Sequence, residues 1–125
     1  MLLEGKTAIV YGAAGAIGGA VARAFAREGA SVFLAGRALA PVRAVAEEIA
    51  AGGAAEAASV DALDEQAVNQ HAAAVATKAG RIDISFNAIP LGDVQGTRLL
   101  DIPLADFSRP ITTGTSVTCG SVVDY

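Results

Sequence analysis

Short apolar runs alternate along this chain with longer stretches whose apolar positions recur at helical spacing. Thr7-Ala8-Ile9-Val10 is apolar and partly β-branched, which predicts a buried strand. Ile17, Val21, Ala24 and Phe25 then form a helical ladder that should end near Glu28, with Gly29 as its stop. Ser31 to Ala35 predicts a second strand, apolar enough for burial on both faces as in a parallel sheet. A second helix places Val42, Val45, Ala46 and Ile49 on one face, turns Arg43, Glu47 and Glu48 largely away, and stops at Gly52-Gly53. Ala55 to Val60 is a weaker, alanine-rich strand, assigned mainly from its place in the alternation. Asp61 lies at its end. Asp64 is a suitable cap for a third helix with the apolar line Val68, Ala72, Val75 and Ala79. Gly80 ends that helix, and Ile82 to Asn87 predicts a fourth strand.

Beyond Ile89 the pattern thins. Pro90 to Pro103 holds two glycines and two prolines and predicts a long loop. Leu104 to Phe107 opens a helix, but Pro110 follows closely, and Ile111 to Thr118 carries four threonines, poor helix formers. The last residues, GSVVDY, suggest a short strand or a disordered end. Residues 1–118 therefore form one domain, with 119–125 an atypical tail. No internal repeat or linker is visible.

Four strands alternating with three helices through short loops predict an α/β fold. It is a doubly wound parallel sheet, Rossmann-like, truncated after about four strands. Ligands on such sheets collect outside the carboxyl ends of the strands. Those ends are Tyr11 to Gly15, Gly36-Arg37, Asp61 and Asn87-Ala88, dispersed in sequence but gathered in space.

The stretch YGAAGAIG, Tyr11 to Gly18, places three glycines where the first strand turns into the first helix. Such a junction presents unpaired N–H groups and the positive end of the helix dipole, which together attract phosphate. Gly12 suits a tight turn, Gly15 a close backbone approach to a ligand, and Gly18 close packing of helix on sheet. The spacing Gly-x-x-Gly-x-x-Gly differs from the usual dinucleotide fingerprint, Gly-x-Gly-x-x-Gly. A plain strand–turn–helix whose glycines only ease packing is the alternative reading.

Composition narrows the field. The 125 residues are one domain's worth and over half are hydrophobic, but much of that is alanine and tryptophan is absent, so the core must be built from small pieces. A net charge of −4 without a basic stripe argues against nucleic acid as a partner. The single Cys119 rules out an internal disulfide framework and suits a reducing compartment. The start, MLLEGK, is too short before its first charge for a signal peptide, and the uncharged run Thr7 to Ala22 is too short and glycine-rich to span a membrane. These features lead to a soluble cytoplasmic protein.

With these residues in place, the chain resembles the short-chain dehydrogenase/reductase family from about Leu3 to Thr118. LEGKTAIVYGAAGAIG is similar to the family's L-x-G-K-x-A-x-V-T-G-x-x-x-G-x-G, with Tyr11 where threonine is usual and Ala16 where the single-domain branch has its middle glycine. Gly15 fits the spacing of the longer, sugar-modifying branch. REGASVFLAGR, Asp61 and FNAI follow in family order. The resemblance implies a nicotinamide dinucleotide site. Gly12, Ala14, Gly15, Ile17 and Gly18 would surround the pyrophosphate, and Asp61 and Ala62 would meet the adenine. Asn87, Ala88 and Ile89 would pass near the ribose on the nicotinamide side. Phe86 and Ile89 depart from the family's Asn-Asn-Ala-Gly, and a branched Ile89 in place of glycine would crowd the cofactor.

Arg37 bears on which cofactor. NAD enzymes of the family commonly carry an acidic residue where this chain has Gly36; a carboxylate there holds a ribose 2′-hydroxyl but repels a 2′-phosphate. Arg37 follows at once, and a guanidinium grips phosphate bidentately, a contact worth roughly 1–4 kcal/mol at surface dielectric. NADP is therefore preferred, with NAD the alternative. A solvated surface arginine is the plainer reading.

The family's catalytic tyrosine, with a lysine four residues on to lower its pKa, has no counterpart. The two tyrosines are Tyr11 and Tyr125, the two lysines Lys6 and Lys78, and no pair has that spacing. No catalytic residue is assigned. Ile111 stands where the next helix often has asparagine. His71, the lone histidine, reads as a solvated or partly packed side chain, Asp61 and Asp64 as a strand end and a helix cap, and Ser116 and Ser121 have no base beside them, so no metal site is assigned either. The leading expectation is an NADP-dependent oxidoreductase chain that keeps part of the cofactor site and little catalysis. A non-catalytic binding or assembly module, with homo-oligomers formed through an exposed sheet edge, is the second. A methyltransferase-like domain is disfavoured by Gly36-Arg37, where an acidic residue would hold the ribose.

Overall fold

The computed structural model describes residues 1–121, with side chains described through residue 114. In chain order the elements are β1 (Thr7–Tyr11), α1 (Ala16–Arg27), β2 (Ser31–Gly36), α2 (Leu39–Ala50), β3 (Ala55–Ser59), α3 (Glu65–Ala79), β4 (Ile84–Asn87) and α4 (Leu104–Ser121). The strands form one parallel sheet in the order β3-β2-β1-β4. The chain steps outward from β1 to β3, then returns to place β4 on the other side of β1. The reversal between β1 and β4 is the switch point at which doubly wound sheets open a crevice.

Side chains alternate across the sheet, so two cores form. Val10, Val32 and Leu34 pack with Ala22 of α1 and Val42, Val45, Ala46 and Ile49 of α2. Ile9, Tyr11 and Ala35 pack on the other face with Val60, Ala62 and the α3 residues Val68, Ala72 and Val75. The predicted faces of α2 and α3 are thus the buried ones. Asp64 caps α3 by accepting the Ala67 N–H at 3.2 Å, and Gly80 ends it in the left-handed conformation with φ 83°.

α1 departs from its predicted ladder. Its buried residues are Gly18, Gly19 and Ala22, while Ile17 is 70% exposed. The cause is proximity: a Cβ on Gly18 would collide with the Gly12 carbonyl oxygen, so the helix rests on the sheet through its smallest residues and turns Ile17 outward.

β4 begins later than predicted because Asp83 substitutes for a ladder partner. Its N–H donates to the Thr7 carbonyl at 2.9 Å, and its carboxylate accepts the Thr7 N–H at 2.8 Å while pairing with Arg81. The largest difference is α4, a helix that continues through Pro110. It packs beside α3 and against β4, and tertiary packing outweighs intrinsic propensity. The hydroxyls of Ser108 and Thr112 donate to the carbonyls of Leu104 and Ser108 one turn back, at 2.9 and 3.2 Å. Gly120 and Ser121 lie in this helix rather than in a strand, and residues 122–125 of the expected strand or disordered end fall outside the described residues. Among the described residues, no helix is long and apolar enough to cross a membrane.

Candidate functional site

Gly12 ends β1 with φ 73° and sits tight against the end of β4: a Cβ there would lie 2.8 Å from the Ala88 carbonyl carbon and oxygen. Its N–H donates to the Ala35 carbonyl at 2.9 Å, tying the turn to β2. The turn delivers Gly15 as the N-cap of α1 in extended conformation, with no side chain capping the helix and no acidic residue in its first turn. The first N–H groups of any helix lack intrahelical acceptors. Ala14, Gly15 and Ile17 are exposed around them, and Gly18 is buried beneath. The contrast with α3, whose own Asp64 fills that role, is direct. α2 also opens uncapped, on Ala38, immediately after Arg37.

The strand ends enclose a cleft of about 180 Å³ lined by Gly12, Gly36, Arg37, Val60, Asp61, Ala62, Leu63, Ile89 and Pro90. Five of the sequence-assigned residues meet there: Gly12, Arg37, Asp61, Ala62 and Ile89. Ala14, Gly15, Ile17 and Gly18 belong to the adjoining turn and helix start, and Asn87 and Ala88 to the end of β4 and the residue after it, outside the lining. Val60, Leu63 and Pro90 were not singled out by sequence. Val60 and Leu63 flank the assigned Asp61-Ala62 pair, a signal that could have extended the site.

Local hydrogen bonds hold the cleft in shape. Asp61 accepts the Leu63 N–H at 3.0 Å, the Val60 N–H donates to the Gly36 carbonyl at 2.9 Å, and the Ser59 hydroxyl donates to the Arg37 carbonyl at 3.0 Å. On the β4 side, the Ala88 N–H donates to the Tyr11 carbonyl at 2.9 Å and Asn87 Oδ1 accepts the Ile89 N–H at 3.0 Å. The Arg37 side chain is exposed and has no ion-pair partner among the described residues. Space for a side chain at Gly36 is already taken, since a Cβ would lie 2.6 Å from Val42 Cγ2. The donor set suits a phosphorylated nucleotide: open helix N–H groups, a free guanidinium and a narrow apolar slot between them.

Among the described residues, no tyrosine–lysine pair joins this site. Tyr11 is fully buried within β1, Lys78 pairs with Glu56 at 2.6 Å, and Tyr125 lies outside the described residues. His71 is half-buried on α3, beside Phe33 and Glu56, away from the strand-end cleft. Loss of solvent pushes its pKa down, with the Glu56 charge opposing. Among the described residues, no three His, Cys, Asp or Glu side chains converge as a metal site would require.

A parallel sheet reversing beside a glycine turn, with helix starts open at the strand ends, defines a Rossmann-like α/β protein. The chain belongs to the short-chain dehydrogenase family, whose model, described as short chain dehydrogenase, matches residues 6–114. It is 42% identical over 94 residues to a sorbitol dehydrogenase of Cereibacter sphaeroides, covering 75% of this chain and 36% of that one. It is 37% identical over 108 residues to the 7alpha-hydroxysteroid dehydrogenase of Escherichia coli K12, covering 86% of this chain and 41% of the relative. In structure it is similar to a metagenomic short-chain oxidoreductase in complex with NADP, with TM-score 0.81 and 33% identity over 97% of this chain and 55% of that chain. A 3-ketoacyl-(acyl-carrier-protein) reductase of Brucella melitensis complexed with NADH superposes with TM-score 0.79 and 30% identity, covering 95% and 48% of the two chains. The chain thus spans about two-fifths of these curated relatives and about half of the solved chains.

Proposed function

We propose that this chain carries the NADP-binding part of an oxidoreductase that moves hydride between NADP(H) and a carbonyl or alcohol, and that it lacks the family's Tyr-x-x-x-Lys. Phosphates lie on the N–H groups at the start of α1, cradled by Gly12, Ala14, Gly15, Ile17 and Gly18. Asp61 and Ala62 meet the adenine, Asn87, Ala88 and Ile89 border the ribose, and Arg37 takes the 2′-phosphate. When bound, the nicotinamide supplies the hydride chemistry; the residues described here bind and orient.

The observation that carries the reading is Arg37. A free guanidinium stands at the cleft rim beside a strand end where Gly36 contributes no carboxylate, and Val42 fills the space one would need. Titration calorimetry tests it. NADP should bind more tightly than NAD, by about tenfold for one charge-assisted phosphate contact, and Arg37→Ala should erase the difference. Equal affinities in the unaltered chain, or flat traces with both nucleotides on folded protein, would refute the assignment. Carbonyl reduction should be absent; ready turnover would overturn the claim of missing catalysis.

A further inference from the structure

We propose that a second cavity, between α3 and the edge strand β3, is a binding site for a small uncharged phenol, with His71 as its hydrogen-bonding partner. The proposal is independent of the dinucleotide reading. The cavity, of about 190 Å³, has a lining distinct from that of the strand-end cleft.

Small residues open it. Ala58 of β3 and Ala74 of α3 both line the space, and neither is large enough to fill it. Phe33 is left half-buried there, although Val32 and Leu34 on either side of it in β2 are buried. His71, Ala74, Val75 and Lys78 reach the cavity from one face of α3, at helical spacing. Glu56, in register with Phe33, pairs with Lys78 at 2.6 Å and ties the edge strand to the helix.

Size, charge and polarity of this lining select the ligand. An apolar cavity of ~150 Å³ takes benzene, so about 190 Å³ suits one ring with a small substituent. Glu56 and Lys78 neutralise each other, and loss of solvent keeps His71 uncharged at pH 7 and above, so nothing here favours an ion. His71 Nδ1 is sealed from solvent without a hydrogen-bond partner among the described residues, which leaves Nε2 as the nitrogen a ligand can reach. A bare hydrocarbon would strip solvent from Nε2 and replace it with nothing. A hydroxyl donates to Nε2 in one neutral tautomer and accepts from it in the other. The aromatic ring of the ligand then packs beside Phe33, where ring pairs gain more than their buried area alone supplies.

The test uses phenol and toluene as probes of the 125-residue chain, followed by nuclear magnetic resonance at pH 7.5. His71 is the one histidine in the sequence, so its imidazole signals are unambiguous. Phenol should shift them saturably, with a Kd on the order of 1 mM, and toluene should bind about tenfold more weakly for want of the hydrogen bond. The Ala58 and Val75 amides report binding in variants. His71→Leu should erase the preference for phenol over toluene, and Ala74→Leu should fill the cavity and abolish binding of both. Leucine at this exposed helical position is a good helix former, and the parent titrations stand even if a variant fails to fold. Saturating NADP should leave the phenol titration unchanged. No saturable imidazole shift, equal affinities for phenol and toluene in the parent, undiminished binding in folded Ala74→Leu, or displacement of phenol by NADP would each overturn the proposal. Those results would leave the dinucleotide reading to its own test, and a chain that takes phenol but no nucleotide would overturn that reading alone.

Discussion

Replacing Gly18 by alanine probes the contact on which the site is built. Alanine inside a helix is ordinarily better than glycine by about 1 kcal/mol. Here the added Cβ would collide with the Gly12 carbonyl oxygen and lie 2.8 Å from the Gly12 carbonyl carbon and 3.2 Å from Ala13 Cα, all main-chain atoms. Gly12 cannot yield, because its φ of 73° and its bond to Ala35 fix the turn and the end of β4 closes the far side. The load falls on the first turn of α1. Overpacking against well-ordered atoms costs about 1–3 kcal/mol, and a backbone obstacle belongs at the top of that range. Subtracting the propensity gain leaves a net loss of about 2 kcal/mol, nearly a thirtyfold change in the folded-to-unfolded ratio. Urea denaturation should register a lower midpoint at unchanged slope. A parallel Gly15→Ala variant, whose Cβ would meet only the Gly12 oxygen at 3.4 Å, should stay within about 1 kcal/mol of the parent. A Gly18→Ala chain as stable as the parent, or more so, would show that α1 does not rest on the Gly12 turn.

Three further outcomes are expected. Gly36→Asp should swing nucleotide preference toward NAD in calorimetry, at a stability cost of about 1–3 kcal/mol for overpacking against the fully buried Val42; an unchanged NADP-to-NAD ratio would separate the end of β2 from the ribose. Burial holds the His71 pKa below its ordinary 6.5, so the unfolded chain binds the extra proton first. Stability should therefore be full above pH 6.5 and decline as pH falls below it, a loss that His71→Gln should abolish in urea midpoints measured across that window. The Thr7 N–H, aided by Arg81, holds the Asp83 carboxyl below its ordinary 3.8. Its stabilising contribution should persist above 3.8 and vanish as pH drops through the lower folded value, and Asp83→Ala should lower the melting temperature at neutral pH while flattening that acid limb.

Much of this architecture was legible along the chain because its signals are local. A β-branched run, a helical repeat, the Asp64 cap and the Gly80 stop each act within a few residues, so β1, α2 and α3 could be named before any contact was known. The strand-end address of Gly12, Arg37 and Asp61 followed from alternation alone, since parallel crossovers put every strand's carboxyl end on one edge. The tertiary structure decided what depends on residues far apart. α4 runs through Pro110 because α3 and β4 support it, and no local rule contains those neighbours. α1 turns Ile17 outward because the Gly12 carbonyl lies against Gly18, a distance that hydrophobic periodicity cannot register. Ile89 comes to line the slot with Ala62 because β4 crosses back beside β1, and only strand order brings those positions together.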